Sequence, residues 1–297
     1  MCTDPRDRST RGRQNGHARH HSGHHHGLGA FRRRHHHRLP HHRLRSRAPA
    51  GARGVRARGR LRRSGGGVGG PLQVHTVERR GRGTSGPQGD AYSAAAECAD
   101  IEAVRAATGA RFVFGHSFGG FLTLEAASAG SAFERIAVYE PGVSVDGSIP
   151  FDWAGRCRRE LDAGKPAEAF LTFVRGVNPG TSGKAPRWLL RLILPLALKK
   201  PERLQKHALL PAAIREHAEI AARDSTFREY GRLDRPVLLM AGKEARSTGA
   251  GRAAAAVHEV LPGSRLLLPR LDHFGPETDP AAVAPALADF FLGSSAG

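Results

Sequence analysis

Phe112-Val-Phe-Gly-His-Ser-Phe-Gly-Gly120 is the stretch that decides the fold. A short apolar run leads into a serine that stands between Gly115 and Gly119, and a segment of helical composition follows. When a strand turns sharply into a helix at such a sequence, the serine hydroxyl is exposed and able to act as a nucleophile. Both glycines suit a turn that neighbouring backbone crowds. The stretch therefore predicts a strand, a nucleophile elbow at Ser117, and a helix.

Phe118 directly follows this serine, at the first turn of the predicted helix. The first N–H groups of a helix lack partners within the helix, and they carry partial positive charge. The backbone N–H of Phe118 is therefore a candidate donor to the oxyanion that forms when a serine attacks a carbonyl group.

Strand-like and helix-like segments alternate on both sides of the elbow. Leu72–Val77 has the period of a strand, Ala91–Thr108 has one apolar helical face, and Arg135–Tyr139 is a short apolar run. Such alternation implies parallel strands joined by right-handed crossovers. The predicted fold class is α/β, with a mostly parallel sheet flanked by helices.

Residues 145–230 interrupt this alternation, which resumes in residues 231–297. A mainly helical insertion above the sheet is the simplest explanation, with 71–144 as the first part of the core and 231–297 as the second. Its four predicted helices are Phe151–Leu161, Ala167–Gly176, Trp188–Lys200 and Pro211–Arg223.

A serine nucleophile needs a base, and the base needs a group that orients it. His273 lies in the loop between the last predicted strand, Ser264–Leu268, and the terminal helix, Pro280–Leu292. A histidine in this late position fits the chain order of nucleophile, acid and histidine that is typical of this architecture. His273 is the predicted base.

Three carboxylates are candidates for the orienting acid. Glu140 ends the strand that follows the nucleophile helix, at the edge of the sheet where Ser117 is expected. Glu244 follows the next core strand and reaches the same edge, so it is the alternative acid. Asp272 adjoins His273 but would point away from its ring. Glu140 is the favoured acid.

Residues 1–70 have a different composition from the rest of the chain. They contain 18 Arg, two Asp and 11 of the 17 His, so they carry +16 of the total formal charge of +19. A segment with so few apolar residues is expected to be disordered. Three interpretations stay open: an arm that binds polyanions through phosphate contacts, metal binding by its histidine tracts, and, as the favoured one, GC-rich coding DNA translated out of frame.

Several classes of protein are disfavoured by composition. Three cysteines without CxxC spacing indicate neither a disulfide framework nor a zinc site. No apolar run reaches the roughly 18 residues of a membrane span, and no apolar signal-peptide region follows the N-terminus. We expect a cytoplasmic protein that needs no cofactor or metal and has neither a membrane nor a specific nucleic acid as partner. The oligomeric state is left open.

Four motifs together resemble the α/β-hydrolase superfamily, in particular the small bacterial members with a helical lid. They are the loop Val77–Gly86, the elbow Gly115–Gly120, Val138-Tyr-Glu-Pro141 and Leu271-Asp-His-Phe274. The resemblance covers about residues 71–293. It implies that residues 145–230 form a lid that shapes the substrate pocket. Dehalogenase-type relatives take a glutamate at the position of Glu140 as the triad acid, which supports that choice.

The chain departs from this superfamily at its N-terminal side. Members begin with two or three strands ahead of the Arg79-Arg80 loop, and the last of them leads into a His-Gly or Gly-Gly turn that supplies a second oxyanion N–H. Residues 1–70 show no strand pattern. His26-Gly-Leu-Gly29 has the form of that turn, but no apolar strand precedes it, so we interpret the match as coincidence.

The sequence thus predicts a serine hydrolase that acts on an ester-like or similar acyl substrate through Ser117, His273 and Glu140. The alternative is a non-catalytic or truncated product whose basic arm binds polyanions. The identity of the substrate, the source of the second oxyanion donor and the activity of this particular chain stay open.

Overall fold

The computed structural model describes residues 28–33, 55–61, 72–242 and 249–293. Within these ranges, seven strands form one sheet in the order β2-β3-β1-β4-β5-β6-β7. β3 to β7 run in one direction, and β1 and β2 run against them. The strands are β1 (Leu28–Arg33), β2 (Val55–Leu61), β3 (Leu72–Val77), β4 (Phe112–His116), β5 (Arg135–Tyr139), β6 (Val237–Met240) and β7 (Arg265–Leu267).

Helices connect and cover these strands. Within the described ranges, no helix is long and apolar enough to cross a membrane. The helices are α1 (Ala94–Thr108), α2 (Phe118–Ser128), α3 (Ala154–Asp162), α4 (Pro166–Val177), α5 (Arg187–Ala197), α6 (Lys200–Ala222), α7 (Gly249–Val260), α8 (Gly275–Thr278) and α9 (Pro280–Leu292), with a 3-10 helix at Phe227–Arg232.

The central strand β5 shows why both faces of the sheet are buried. Successive side chains of a strand point to opposite faces. Ile136 and Val138 pack in the cluster that contains α1, α2 and α7. Ala137 and Tyr139 pack in the second cluster, with α9. A strand covered by helices on both sides is apolar along its whole length, which explains the continuous apolar run in the sequence.

β4 and β5 end level with each other at one edge of the sheet. They are parallel, and the register pairs Phe112 with Arg135 and His116 with Tyr139. The residues that follow the two strands, Ser117 and Glu140, therefore leave the sheet side by side. Functional groups of open α/β sheets gather at this carboxyl edge.

β1 and β2 lie in the stretch where the sequence led us to expect no strand. β1 pairs antiparallel with both β3 and β4 and so lies between them. Strand pairing joins backbone N–H and C=O groups, which nearly every residue carries, so an edge such as that of β4 can pair with a segment that has no strand-like side-chain pattern. The rest of residues 1–70, including both histidine tracts, lies outside the described residues.

Helices α3 to α6 form the helical insertion between β5 and β6. They have a small core of their own, to which Trp153, Phe170, Leu210 and Ile214 contribute. The prediction that the last helix begins at Pro211 is wrong, because α6 begins at Lys200 and contains Pro211 in its interior. A proline there removes one helical hydrogen bond, and the buried neighbours Leu210 and Ile214 hold the helix in place.

A buried ion cluster joins this insertion to the sheet. The Arg79 guanidinium donates to Glu97 of α1 at 3.0 Å and to Glu216 of α6 at 2.9 Å. Arg82 donates to the same Glu216 oxygen at 2.7 Å, and the Tyr92 hydroxyl donates to Glu97 at 2.8 Å. Burial opposes the charge of Arg79, but the two carboxylates hold its pKa above the usual value. We call these five residues the Arg79 cluster.

Replacing Glu216 by alanine is expected to lower the free energy of unfolding by about 3–5 kcal/mol, because two buried guanidinium groups lose their shared partner. Urea denaturation followed by circular dichroism measures this loss. Glu259→Ala on α7 is the matched control, since Glu259 is exposed, and its effect should stay within about 0.5 kcal/mol. Equal effects of the two substitutions would contradict a stabilising role for the cluster.

Candidate active site

Ser117 occupies a strained turn between β4 and α2. Its φ is 54° and its ψ is −123°. Residues other than glycine rarely adopt this backbone conformation, which costs about 1–3 kcal/mol. The end of β5 holds the turn in place: the Ser117 N–H donates to the Tyr139 carbonyl at 3.0 Å, and the Ser117 carbonyl accepts from Gly142 at 2.9 Å. The serine side chain makes no capping hydrogen bond to α2.

The glycines around Ser117 are required by close backbone approach. A Cβ on Gly115 would lie 2.4 Å from the Gly119 carbonyl oxygen, and a Cβ on Gly120 would lie 3.0 Å from Cα of Pro141. The crowding that the sequence suggested at Gly115 is therefore present, and it comes from the carbonyl oxygen of Gly119.

The structure brings His273 and Glu140 together, although they lie 133 residues apart in the chain. His273 Nδ1 donates to Glu140 Oε2 at 2.7 Å. The other carboxylate oxygen, Oε1, accepts from the Gly242 N–H at 2.7 Å. Glu140 has a φ of 40° and is only 4% exposed. The carboxylate is thus fixed between an imidazole and a backbone donor.

Opposing effects act on the pKa of Glu140. Burial by itself would raise it, but the His273 hydrogen bond, the charge of that imidazole and the Gly242 N–H outweigh burial, so the pKa of Glu140 lies below its usual value. This carboxylate is therefore ionised at neutral pH, in the form that accepts both hydrogen bonds.

Of the other candidate acids, Asp272 directs its carboxylate to the backbone rather than to the His273 ring. Its Oδ1 accepts from the Phe274 N–H at 2.9 Å, and its carbonyl accepts from the Tyr139 hydroxyl at 2.8 Å. Glu244 lies outside the described residues.

Gly242 also contributes to the candidate site, and it was not among the residues predicted from the sequence. A Cβ here would lie 2.5 Å from the Leu271 carbonyl oxygen and 2.9 Å from Glu140 Oε1. Only a glycine lets the backbone approach the carboxylate this closely. The available signal was its position directly after a core strand, at the edge that carries Glu140.

Gly242→Ala is expected to lower kcat/KM by about 10–100-fold, because the added methyl group displaces the carboxylate that orients His273. Steady-state hydrolysis of a p-nitrophenyl ester measures the effect. Gly180→Ala is the matched control, since a Cβ at Gly180 meets nothing within 4 Å. Unchanged activity in Gly242→Ala would show that the close approach is not needed.

His116 supports the loop that carries His273. Its Nε2 donates to the His273 carbonyl at 2.7 Å, and the two ring centroids are 5.0 Å apart. Its Nδ1 lies 3.4 Å from an oxygen of Glu277 on α8. Burial lowers the pKa of His116, against the opposing effect of Glu277. His116 directly precedes Ser117 in the chain and therefore packs beside the elbow. Its contacts with His273 hold the His273 loop next to the elbow.

Phe118 is the first residue of α2, so its backbone N–H belongs to the helix N-terminus. Its ring lies 4.8 Å from the Arg79 guanidinium, which connects the Arg79 cluster to the oxyanion candidate. His26 and Gly27 lie outside the described residues, but β1 begins directly after them. Leu28 pairs with Gly115, at the carboxyl end of β4.

Together these groups make up the candidate site. A strained serine, a histidine and a buried ionised carboxylate share one sheet edge with a helix N-terminus. In the parts of the chain that the structure describes, no three His, Cys, Asp or Glu side chains are arranged to hold a metal ion.

Comparisons with known proteins agree with this architecture. The model of the alpha/beta hydrolase family matches residues 24–286. The match therefore begins well before residue 71, where the sequence resemblance was expected to start. No curated protein matches the chain.

Solved structures with the same fold include an alpha/beta hydrolase from Sphaerobacter thermophilus, with 27% identity, a TM-score of 0.59 and coverage of 73% of this chain and 81% of that one. An alpha/beta hydrolase enzyme from a Medee basin deep-sea metagenome library has 15% identity and a TM-score of 0.59, over 76% and 82% of the two chains. A hydrolase from Pseudomonas aeruginosa has 19% identity and a TM-score of 0.51, over 74% and 79%.

The predicted fold class is confirmed by the family match and by the sheet itself. The family match extends over most of the chain, and it includes the elbow, Glu140 and His273. The chain belongs to the alpha/beta hydrolase family, and it is a hydrolase.

Proposed function

We propose that this hydrolase cleaves ester-like or similar acyl substrates by covalent catalysis at Ser117. The observation that carries the proposal is the 2.7 Å hydrogen bond between His273 and the buried Glu140, on the edge of the sheet where the strained serine stands. A carboxylate–imidazole pair beside a serine hydroxyl is the arrangement that activates serine nucleophiles.

In the proposed reaction, Ser117 Oγ attacks the substrate carbonyl carbon while His273 accepts the hydroxyl proton. The carbonyl oxygen becomes an oxyanion, which accepts a hydrogen bond from the Phe118 N–H. His273 then gives its proton to the departing alcohol, which leaves an acyl group on the serine. A water molecule, deprotonated by the same histidine, releases the acid and restores Ser117.

Glu140 has two functions in this mechanism. It keeps the proton of His273 on Nδ1, so that Nε2 is able to accept the serine proton. It also stabilises the imidazolium that forms in each step. Its lowered pKa supports both functions, because the carboxylate stays ionised through the working range of a histidine base.

The helical insertion is proposed to be the lid, residues 145–230, between the core parts 71–144 and 231–297. Its helix α6 is joined to the loop after β3 through Glu216 and Arg79, and Arg79 contacts the ring of Phe118. This connection supports a position of the insertion beside the oxyanion candidate. An insertion so placed would shape the pocket for the acyl or leaving group.

A fluorophosphonate probe tests the proposal. Folded protein is incubated with the probe, and the modified peptide is identified by mass spectrometry; we expect one label, on Ser117, together with loss of esterase activity. Heat-unfolded protein is the control and should not be labelled, because the reaction requires His273 beside the serine.

Folded protein that takes up no label and hydrolyses no ester would overturn the proposed mechanism. Salt-sensitive retention of nucleic acid in that case would favour the other candidate function, which rests on the charge of +16 in residues 1–70.

A further inference from the structure

Helix α5 presents an apolar face to solvent. Trp188, Leu192 and Leu196 are spaced four residues apart, so they lie on one side of the helix. They are 63%, 60% and 87% exposed, and Ile193 on the same helix is also exposed. No residue of α5 is buried. We call these four side chains the α5 face.

Exposed apolar residues in this number are unusual for a surface that stays in water. Elsewhere in the helical insertion, Trp153 and Phe170 are buried in its core. The polar contacts of α5 hold the helix in position rather than cover it: Arg187 and Arg191 donate to Glu168 of α4 at 2.8 Å. A contiguous apolar patch on a protein surface indicates a binding surface.

Basic residues surround the α5 face. Residues 184–206 contain seven Lys or Arg and one acid, Glu202, which gives a formal charge of +6. Lys199 and Lys200, between α5 and α6, are exposed, and within the described part of the chain neither has a carboxylate within 4 Å. An apolar helix face with basic flanks is the pattern of helices that lie in the headgroup region of anionic membranes.

We propose that the α5 face docks on the surface of an anionic lipid bilayer. Trp188, Leu192 and Leu196 enter the boundary between headgroups and acyl chains, and Lys199 and Lys200 contact the lipid phosphates. The sequence led us to expect no membrane partner. The proposed contact is peripheral, and it is consistent with the absence of a membrane-spanning helix among the described residues.

Charge argues against the other occupants that the chain itself offers. A second copy would bring another pair of exposed lysines, Lys199 and Lys200, against the first, and like charges repel. The N-terminal residues 1–70 carry +16 and are repelled for the same reason. An anionic surface is the occupant that matches both the apolar and the basic parts of this region.

The fluorescence of Trp188 tests the proposal in the full chain. The protein has two tryptophans, and Trp153 is only 6% exposed, so a change in emission on docking reports Trp188. We expect a shift to shorter wavelength with phosphatidylcholine vesicles that contain one quarter phosphatidylglycerol, and no shift with phosphatidylcholine alone. Trp188→Phe should abolish the shift.

Two double variants identify the groups that bind. Leu192→Glu with Leu196→Glu should lower the vesicle partition coefficient at least about tenfold, because the two leucines that enter the bilayer are replaced by charged side chains. Lys199→Glu with Lys200→Glu should also lower it about tenfold. Arg158→Glu with Lys165→Glu, two exposed residues of the insertion outside the α5 face, is the charge-matched control and should bind within about threefold of wild type. Circular dichroism confirms that each variant is folded.

Three results would overturn the proposal. Vesicle binding without a Trp188 shift, unaffected by the leucine variant, would assign binding to residues 1–70 alone. Equal binding to neutral vesicles would remove the role of the lysines. A dimer in light scattering that the leucine variant dissociates would assign the face to a second copy. None of these measurements depends on hydrolase activity, so the proposal and the proposed function fail separately.

Discussion

Ser117→Ala is expected to lower kcat/KM for ester hydrolysis by at least about 10⁴-fold, because the substitution removes the nucleophile and leaves only the oxyanion donor and binding. The fold should persist, since the serine side chain makes no capping hydrogen bond to α2. Steady-state hydrolysis of a p-nitrophenyl ester measures the loss of activity, and loss of the fluorophosphonate label is the second measurement. Residual activity above a hundredth of wild type would exclude Ser117 as the nucleophile.

Ser117→Gly separates the chemical role of the residue from its backbone role. Glycine adopts a φ of 54° without the strain that serine and alanine bear. The glycine variant should therefore be as inactive as the alanine variant, but more stable than it by about 1 kcal/mol in urea denaturation. Equal stabilities would mean that the turn stores no strain.

Glu140→Gln is expected to lower kcat by about 10³–10⁴-fold with little change in KM. Glutamine is close in size, but it no longer holds the required tautomer of His273 or stabilises the imidazolium. Glu244→Gln is the matched control, because Glu244 is the alternative acid from the sequence; its activity should stay within about threefold of wild type. The reverse outcome would move the acid from Glu140 to Glu244.

The same variant changes the acid stability of the protein. The pKa of Glu140 is lowered in the fold, so the stability it contributes is present above the pKa of an unfolded glutamate, near 4.3, and is lost as the pH falls through the lower folded value. Glu140→Gln should therefore lose less stability than wild type between pH 5 and acid pH. Thermal unfolding of both proteins over this pH range measures the difference. If the stabilities of wild type and variant fell in parallel with pH, the pKa of Glu140 would not be lowered by folding.

Local patterns in the sequence predicted several structural elements of this protein. Gly-x-Ser-x-Gly after an apolar run predicted the turn at Ser117, and the period of Leu72–Val77 predicted β3. These features depend on residues that are near in the chain, because strand pleat, helical period and turn sterics all act over a few positions. Both Glu140 and His273 were predicted by their positions after strands, which a parallel sheet brings to one edge.

The sequence by itself determined the fold class and the strand-to-helix turn at Ser117, and it predicted His273 as the base and Glu140 as the acid, with Glu244 as the alternative acid. The tertiary structure alone decided which carboxylate meets His273, why Gly242 must lack a side chain, and how Arg79 and Glu216 meet from positions 137 residues apart. It also placed β1 against its neighbours and left the α5 face exposed. The physical reason is the same in each case. These contacts depend on how distant parts of the chain pack against each other, and short-range sequence patterns do not specify that packing.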